Sequence, residues 1–133
     1  MIAGVADTHA AVWHLFNDAR LSIPASRFID DAAAAGSRIV VSAISLAEVV
    51  YLIEKGRLPE SAYAELTAAL ANPDYVLKEA PFTADIVEAM RQVARAEVPD
   101  MPDRIVAATA VYLNVPVISR DGRIRSSNVQ TVW

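Results

Sequence analysis

The stretch "IAGVADTHAAVWHLFND", residues 2–18, divides at Asp7. The five residues before the acid are an unbroken apolar run, which fits a short buried strand. The residues after it place Val12, Leu15 and Phe16 on one side of a helix. Strand, acid, helix is the order of an α/β unit, and it returns along the chain. "RIVVS" (38–42) is β-branched and reads as a second strand. "SLAEVVYLIEKG" (45–56) follows as an amphipathic helix, capped by Ser45 and stopped by Gly56. Further helices are predicted over 25–36 after Pro24, closed by Gly36, over 59–72 opening with Pro59, and over 83–97 capped by Thr83. A last long helix starts near Asp100, and strands are predicted over 74–80, 115–119 and 129–133. Alternating elements of this kind predict an α/β layer architecture around a mostly parallel sheet. No repeat, linker or low-complexity tract divides residues 1–133, so one domain is expected.

Composition narrows the function classes. The chain is 54% hydrophobic with a formal charge of −4, which suits a compact fold and gives no bulk basic field for nucleic acid. An RNA partner would need local arginines or bound cations to offset phosphate repulsion. The absence of cysteine excludes disulfides, thiolate metal sites and cysteine nucleophiles. The first residues lack the charged segment of a signal peptide, and no apolar run approaches the ~20 residues of a membrane span. A cytoplasmic protein with no membrane association is expected.

In parallel sheets, ligands gather at the carboxyl ends of the strands. Asp7 follows the first strand directly, and Asp121 follows "VPVIS" by one residue. Each also suits a cap or turn: Asp7 for the helix from Thr8, Asp121 for the turn "RDGR". Glu48 shares a helix face with Ile44, Tyr51, Leu52 and Lys55, where a solvated surface acid is the simpler reading. "VPDMPDRIVAATA" (98–110) carries two acids at a helix mouth. Asp100 fits the N-cap with Pro102 in the first turn, which leaves Asp103 free to point elsewhere. Should Asp7, Glu48, Asp103 and Asp121 converge, an all-oxygen set would suit Mg²⁺ or Mn²⁺ and water-activated phosphodiester cleavage.

Taken together, "VADTHAAVW" (5–13), "VSAISLAEVVYLIEKGRL" (41–58), "DMPDRIVAATAVYLNVPVISRDGRIRSS" (100–127) and "VQTVW" (129–133) resemble PIN domains, specifically VapC-type toxins of bacterial toxin–antitoxin pairs. The resemblance covers nearly the whole chain. It implies a three-layer fold with a parallel five-stranded sheet between helices, and Mg²⁺- or Mn²⁺-dependent endonucleolytic cleavage of RNA. It implies that Asp7, Glu48, Asp103 and Asp121 carry the metal, with Glu48 ligating or orienting the attacking water. Asp100 is kept as a cap that also supports the site, and Ser119 and Thr8 as groups that orient carboxylates. A cognate antitoxin and a homodimer are the implied partners.

Around these acids, Arg120, Arg123 and Arg125 are candidates for RNA phosphate, against solvated turn charges as the plainer reading. Arg104 is a candidate for a salt bridge to a neighbouring acid. His9 and His14 read as surface or packed histidines, and Trp13 and Trp133 as core or interface residues. Two other classes compete with a nuclease. A hydrolase with Asp7 as nucleophile generally wants a lysine near the phosphoryl group, and only Lys55 and Lys78 are present. A non-catalytic RNA- or protein-binding module on the same fold is the remaining alternative.

Overall fold

The computed structural model describes residues 1–133. Five strands form one all-parallel sheet: β1 (Ile2–Ala6), β2 (Arg38–Ser42), β3 (Leu77–Ala80), β4 (Val117–Ile118) and β5 (Thr131–Val132). Seven helices connect and flank them: α1 (Thr8–Leu15), α2 (Ile23–Ala34), α3 (Ala43–Glu54), α4 (Ala62–Ala71), α5 (Ala84–Met90), α6 (Met101–Leu113) and α7 (Gly122–Ser126). The expected three-layer α/β arrangement with five parallel strands is the one observed.

Strand order is β3-β2-β1-β4-β5, so the direction of winding reverses between β1 and β4. Both sheet faces are covered, and neighbouring residues of β1, β2 and β4 feed opposite cores. Ala6, Ile39, Val41 and Ile118 pack with Ile29 of α2, Val49 of α3 and Leu66 of α4. Val5, Val40 and Val117 pack with Ile86 of α5, Ile105 of α6 and Ile124 of α7. Burial on both faces explains why the interior strands read as mostly apolar runs rather than as alternating ones, while edge strand β3 carries exposed Lys78 and Glu79.

Several boundaries differ from expectation, each for a local reason. The cap of α3 is Ser42, whose Oγ accepts from the Ile44 amide at 3.2 Å, because β2 runs into α3 without a loop. Ser45 instead lies buried inside the first turn. α4 begins at Ala62, after a turn in which the Ala62 amide bonds the Pro59 carbonyl. α5 stops at Met90 rather than Glu97. Arg104 donates to the Met90 and Val93 carbonyls at 2.9 and 3.0 Å, tying down the segment that follows the helix. That geometry also replaces the salt bridge considered for Arg104. α2 begins two residues early, with Ser22 as cap. α1 ends at Leu15, with Asn17 in the left-handed region soon after. No helix is long and apolar enough to cross a membrane.

Candidate active site

β1 and β4 end side by side at the reversal of strand order, where parallel sheets hold their ligands. The chain leaves both strands through acids. Asp7, buried, caps α1: its Oδ1 accepts from the Ala10 amide at 2.8 Å. Its Oδ2 accepts from the hydroxyl of Ser119, which is fully buried just past β4. Ser119 Oγ in turn accepts from the Asp121 amide at 3.0 Å. One serine therefore ties together two acids 114 positions apart in sequence. Asp121 caps α7 through the amides of Arg123 and Ile124 at 2.9 and 3.1 Å, so the expected turn is a short helix.

Glu48 approaches from α3, half-buried, and its Oε1 accepts from the Thr8 hydroxyl. Thr8 thus orients Glu48 rather than its neighbour Asp7, and Ser45, 2.9 Å from Thr8 Oγ1, extends the chain of hydroxyls. From α6, Asp100 acts as the N-cap, its Oδ1 accepting from the Asp103 amide at 3.1 Å. The Asp103 carboxylate is left out of that cap. Asp7, Glu48, Asp100, Asp103 and Asp121 all line one cleft of about 320 Å³, with Thr8 and Arg120. Arg123 does not line it. Ser119 lies beneath, supporting the acids.

His9 and Trp13 complete the wall, a role not contained in the readings of His9 as a surface or packed histidine and of Trp13 as a core or interface residue. Their four-residue spacing on α1 was the available signal, since it places both on one helix face beside Asp7. The rings lie 5.4 Å apart.

The family model of the PIN domain matches residues 5–128. The chain belongs to the PIN domain family. Several solved structures share its fold. VapBC2 from Rickettsia felis, bound to a DNA fragment from its promoter, is 18% identical with a TM-score of 0.70; the match covers 98% of this chain and 97% of that one. A toxin–antitoxin complex from Klebsiella pneumoniae is 20% identical with a TM-score of 0.59, covering 93% and 92%. Mycobacterium tuberculosis VapC20, a sarcin–ricin loop cleaving toxin, is 20% identical with a TM-score of 0.59, covering 90% and 91%. Among curated proteins no sequence matches the chain.

Burial comes first in the electrostatics of this PIN domain's cleft, and like charges add to it. Burial raises the Asp7 carboxyl, against hydrogen bonds from Ser119 and Ala10 that favour its charge. Burial also raises Glu48, and the charges of Asp100 and Asp7 add to the shift. Asp103 is pushed up to about 7, first by burial and then by Asp100, Asp121, Glu48 and Asp7. In this side-chain arrangement no three acids close on one point as the ligands of an ion do. The donor chemistry nevertheless fits a hard divalent cation, because every acid is an oxygen donor and their mutual repulsion is relieved by positive charge.

A pH dependence follows. Asp103 titrates near 3.8 when unfolded and near 7 when folded, so the folded state holds the extra proton between those values. Its contribution to stability is complete below pH 3.8 and is lost as pH rises through 7. With EDTA present, wild type should lose about 1–2 kcal/mol between pH 5 and pH 8 relative to Asp103→Asn, a figure reduced for the solvent screening of a half-exposed group. Denaturant melts of both proteins at the two pH values check this. Parallel pH profiles would mean that burial and the neighbouring charges do not raise the Asp103 carboxyl.

Proposed function

We propose that this chain is a divalent-metal-dependent endoribonuclease and the VapC-like toxin of a toxin–antitoxin pair. The observation that carries the reading is the convergence of Asp7, Glu48, Asp103 and Asp121 at the switch point of a PIN domain sheet. These four acids would hold Mg²⁺ or Mn²⁺, which when bound supplies an activated water and neutralises charge developing on the phosphodiester. The chain's own residues do the rest. Ser119 fixes the separation of Asp7 and Asp121, and Thr8 sets the carboxylate plane of Glu48, which orients the attacking water. Asp100 anchors the helix that presents Asp103 and adds negative charge to the cleft.

Incubation of total RNA with the protein and Mn²⁺ should yield new fragments, and EDTA should suppress them. Retention of RNA without new fragments would favour the non-catalytic binding module instead.

The partners follow from the same reading and from exposed apolar surface. Val50 and Tyr51 of α3 and Tyr63 of α4 are 39%, 64% and 42% exposed, on two helices that contact each other. A second copy of this chain and an antitoxin segment would cover such surface. Light scattering of the isolated protein should give a mass near twice 14.3 kDa. A monomer throughout the micromolar range would remove the dimer.

A further inference from the structure

Arg120 is the one arginine or lysine that lines the acid cleft. Five carboxylates share that cleft, yet Arg120 pairs with none of them; the ion pairs of the chain are Arg20–Asp18 and Arg91–Glu88. Its guanidinium instead lies over the indole of Trp13, with its central carbon 4.7 Å from the ring centroid. Trp13 is only 4% exposed, and Trp133 packs on it at 6.0 Å. The indole is therefore fixed by the core and has no open face for a nucleobase. What it offers is a rigid platform for a cation.

The distinction matters chemically. A guanidinium paired with a carboxylate spends its N–H donors on that partner. One held over an aromatic face by cation–π attraction keeps its N–H donors available for a bidentate phosphate contact. The other basic residues nearby lack this combination. Arg104 donates to two backbone carbonyls. Arg20, 5.1 Å from the same indole, is held by both oxygens of Asp18. Arg123 and Arg125 are exposed on α7 and do not line the cleft.

We propose that Arg120, held on the Trp13 indole, grips a backbone phosphate of single-stranded RNA at the mouth of the acid cleft, and that Trp13 is its positioning residue. This rests on the nuclease reading and deepens it: it selects one arginine of the "SRDGRIR" turn as the substrate contact. It also accounts for an RNA partner on a chain of net charge −4, because one cation is kept out of the carboxylate cluster and aimed at substrate.

The test measures binding rather than cleavage. A fluorescein-labelled single-stranded 12-nucleotide RNA is titrated with intact protein in Ca²⁺, to neutralise the acids, at several salt concentrations. Arg120→Gln should weaken binding about tenfold or more, as expected for a lost charge-assisted contact. The slope of log K against log salt should shrink by about 0.7, one phosphate on a single strand. Arg120→Lys keeps the charge but neither the fork nor the stack, so it should recover the slope and only part of the affinity. Arg123→Gln and the remote Arg91→Gln should match wild type.

Trp13→Leu should weaken binding several-fold, and should add nothing in an Arg120→Gln background, whereas a purely structural role would cost affinity in both. The Arg120 arm decides the proposal should Trp13→Leu fail to fold. Wild-type affinity and slope in Arg120→Gln, with RNA still bound, would overturn the inference and leave the nuclease reading intact. An RNA that wild type does not bind at all would overturn both.

Discussion

Asp103→Asn should lower RNA cleavage by about a thousandfold or more while leaving the protein folded and, without metal, no less stable than wild type. The carboxylate makes no cap hydrogen bond, since Asp100 supplies that for α6, so its removal leaves no backbone amide unsatisfied. It is also the acid on which the other four charges act together, and neutralising it relieves that repulsion. On the proposed reading it is a metal ligand, whose contribution to transition-state charge stabilisation is worth several kcal/mol, and that sets the size of the expected loss.

Asp100→Ala makes the contrasting case. It removes a cap worth about 1 kcal/mol, partly offset by one less negative charge beside Asp103 and Glu48. Cleavage should fall only about tenfold, the effect of a group that supports a ligand rather than acting as one. Initial rates on one RNA substrate, with melts of each variant, separate the two. Equal loss of activity in both would make Asp100 a ligand as well.

Which parts of this site could be read from the sequence follows from how far each cause lies along the chain. Asp7 and Asp121 were legible because each lies just past the carboxyl end of an apolar strand, a local signal that the sheet rule converts into position. Asp100 was legible as the N-cap that leaves the Asp103 carboxylate out of the cap, because an N-cap and its N3 residue are three positions apart. Capping does not remove Asp7 from the cleft: one oxygen caps α1, the other accepts from Ser119, and the residue still lines the cleft.

What local pattern missed depended on distant contacts. α5 reads as longer than it is because its periodicity continues, while Arg104, eleven and fourteen residues downstream, takes the carbonyls around its end. α7 spans five residues, too few for any period to register. The stack of Arg120 on Trp13 joins residues at opposite ends of the chain, and nothing in either neighbourhood announces it.

The hydrogen bonds at Asp7 set up the other large effect. Asp7→Asn keeps the shape and one acceptor oxygen, so the Ala10 amide stays capped. The amide nitrogen would then face Ser119 Oγ, which already accepts from the Asp121 amide, and the serine proton would lose its partner. That costs about 1 kcal/mol. Against it stands the removal of a buried charge disfavoured chiefly by desolvation, with Asp121 adding repulsion. Desolvation of a buried carboxylate is the larger quantity, so in EDTA at neutral pH the mutant should melt at or above wild type.

Metal reverses the order. Mn²⁺ at a hundred times its dissociation constant should stabilise wild type by about 2.7 kcal/mol, a rise in Tm on the order of 10 °C. Asp7→Asn, lacking a ligand charge, should gain a small fraction of that, and its RNA cleavage should disappear. Four thermal melts decide the matter: both proteins, each with EDTA and with Mn²⁺. A mutant that melts lower in EDTA and gains as much from Mn²⁺ as wild type would make Asp7 a structural cap whose charge takes no part in binding an ion.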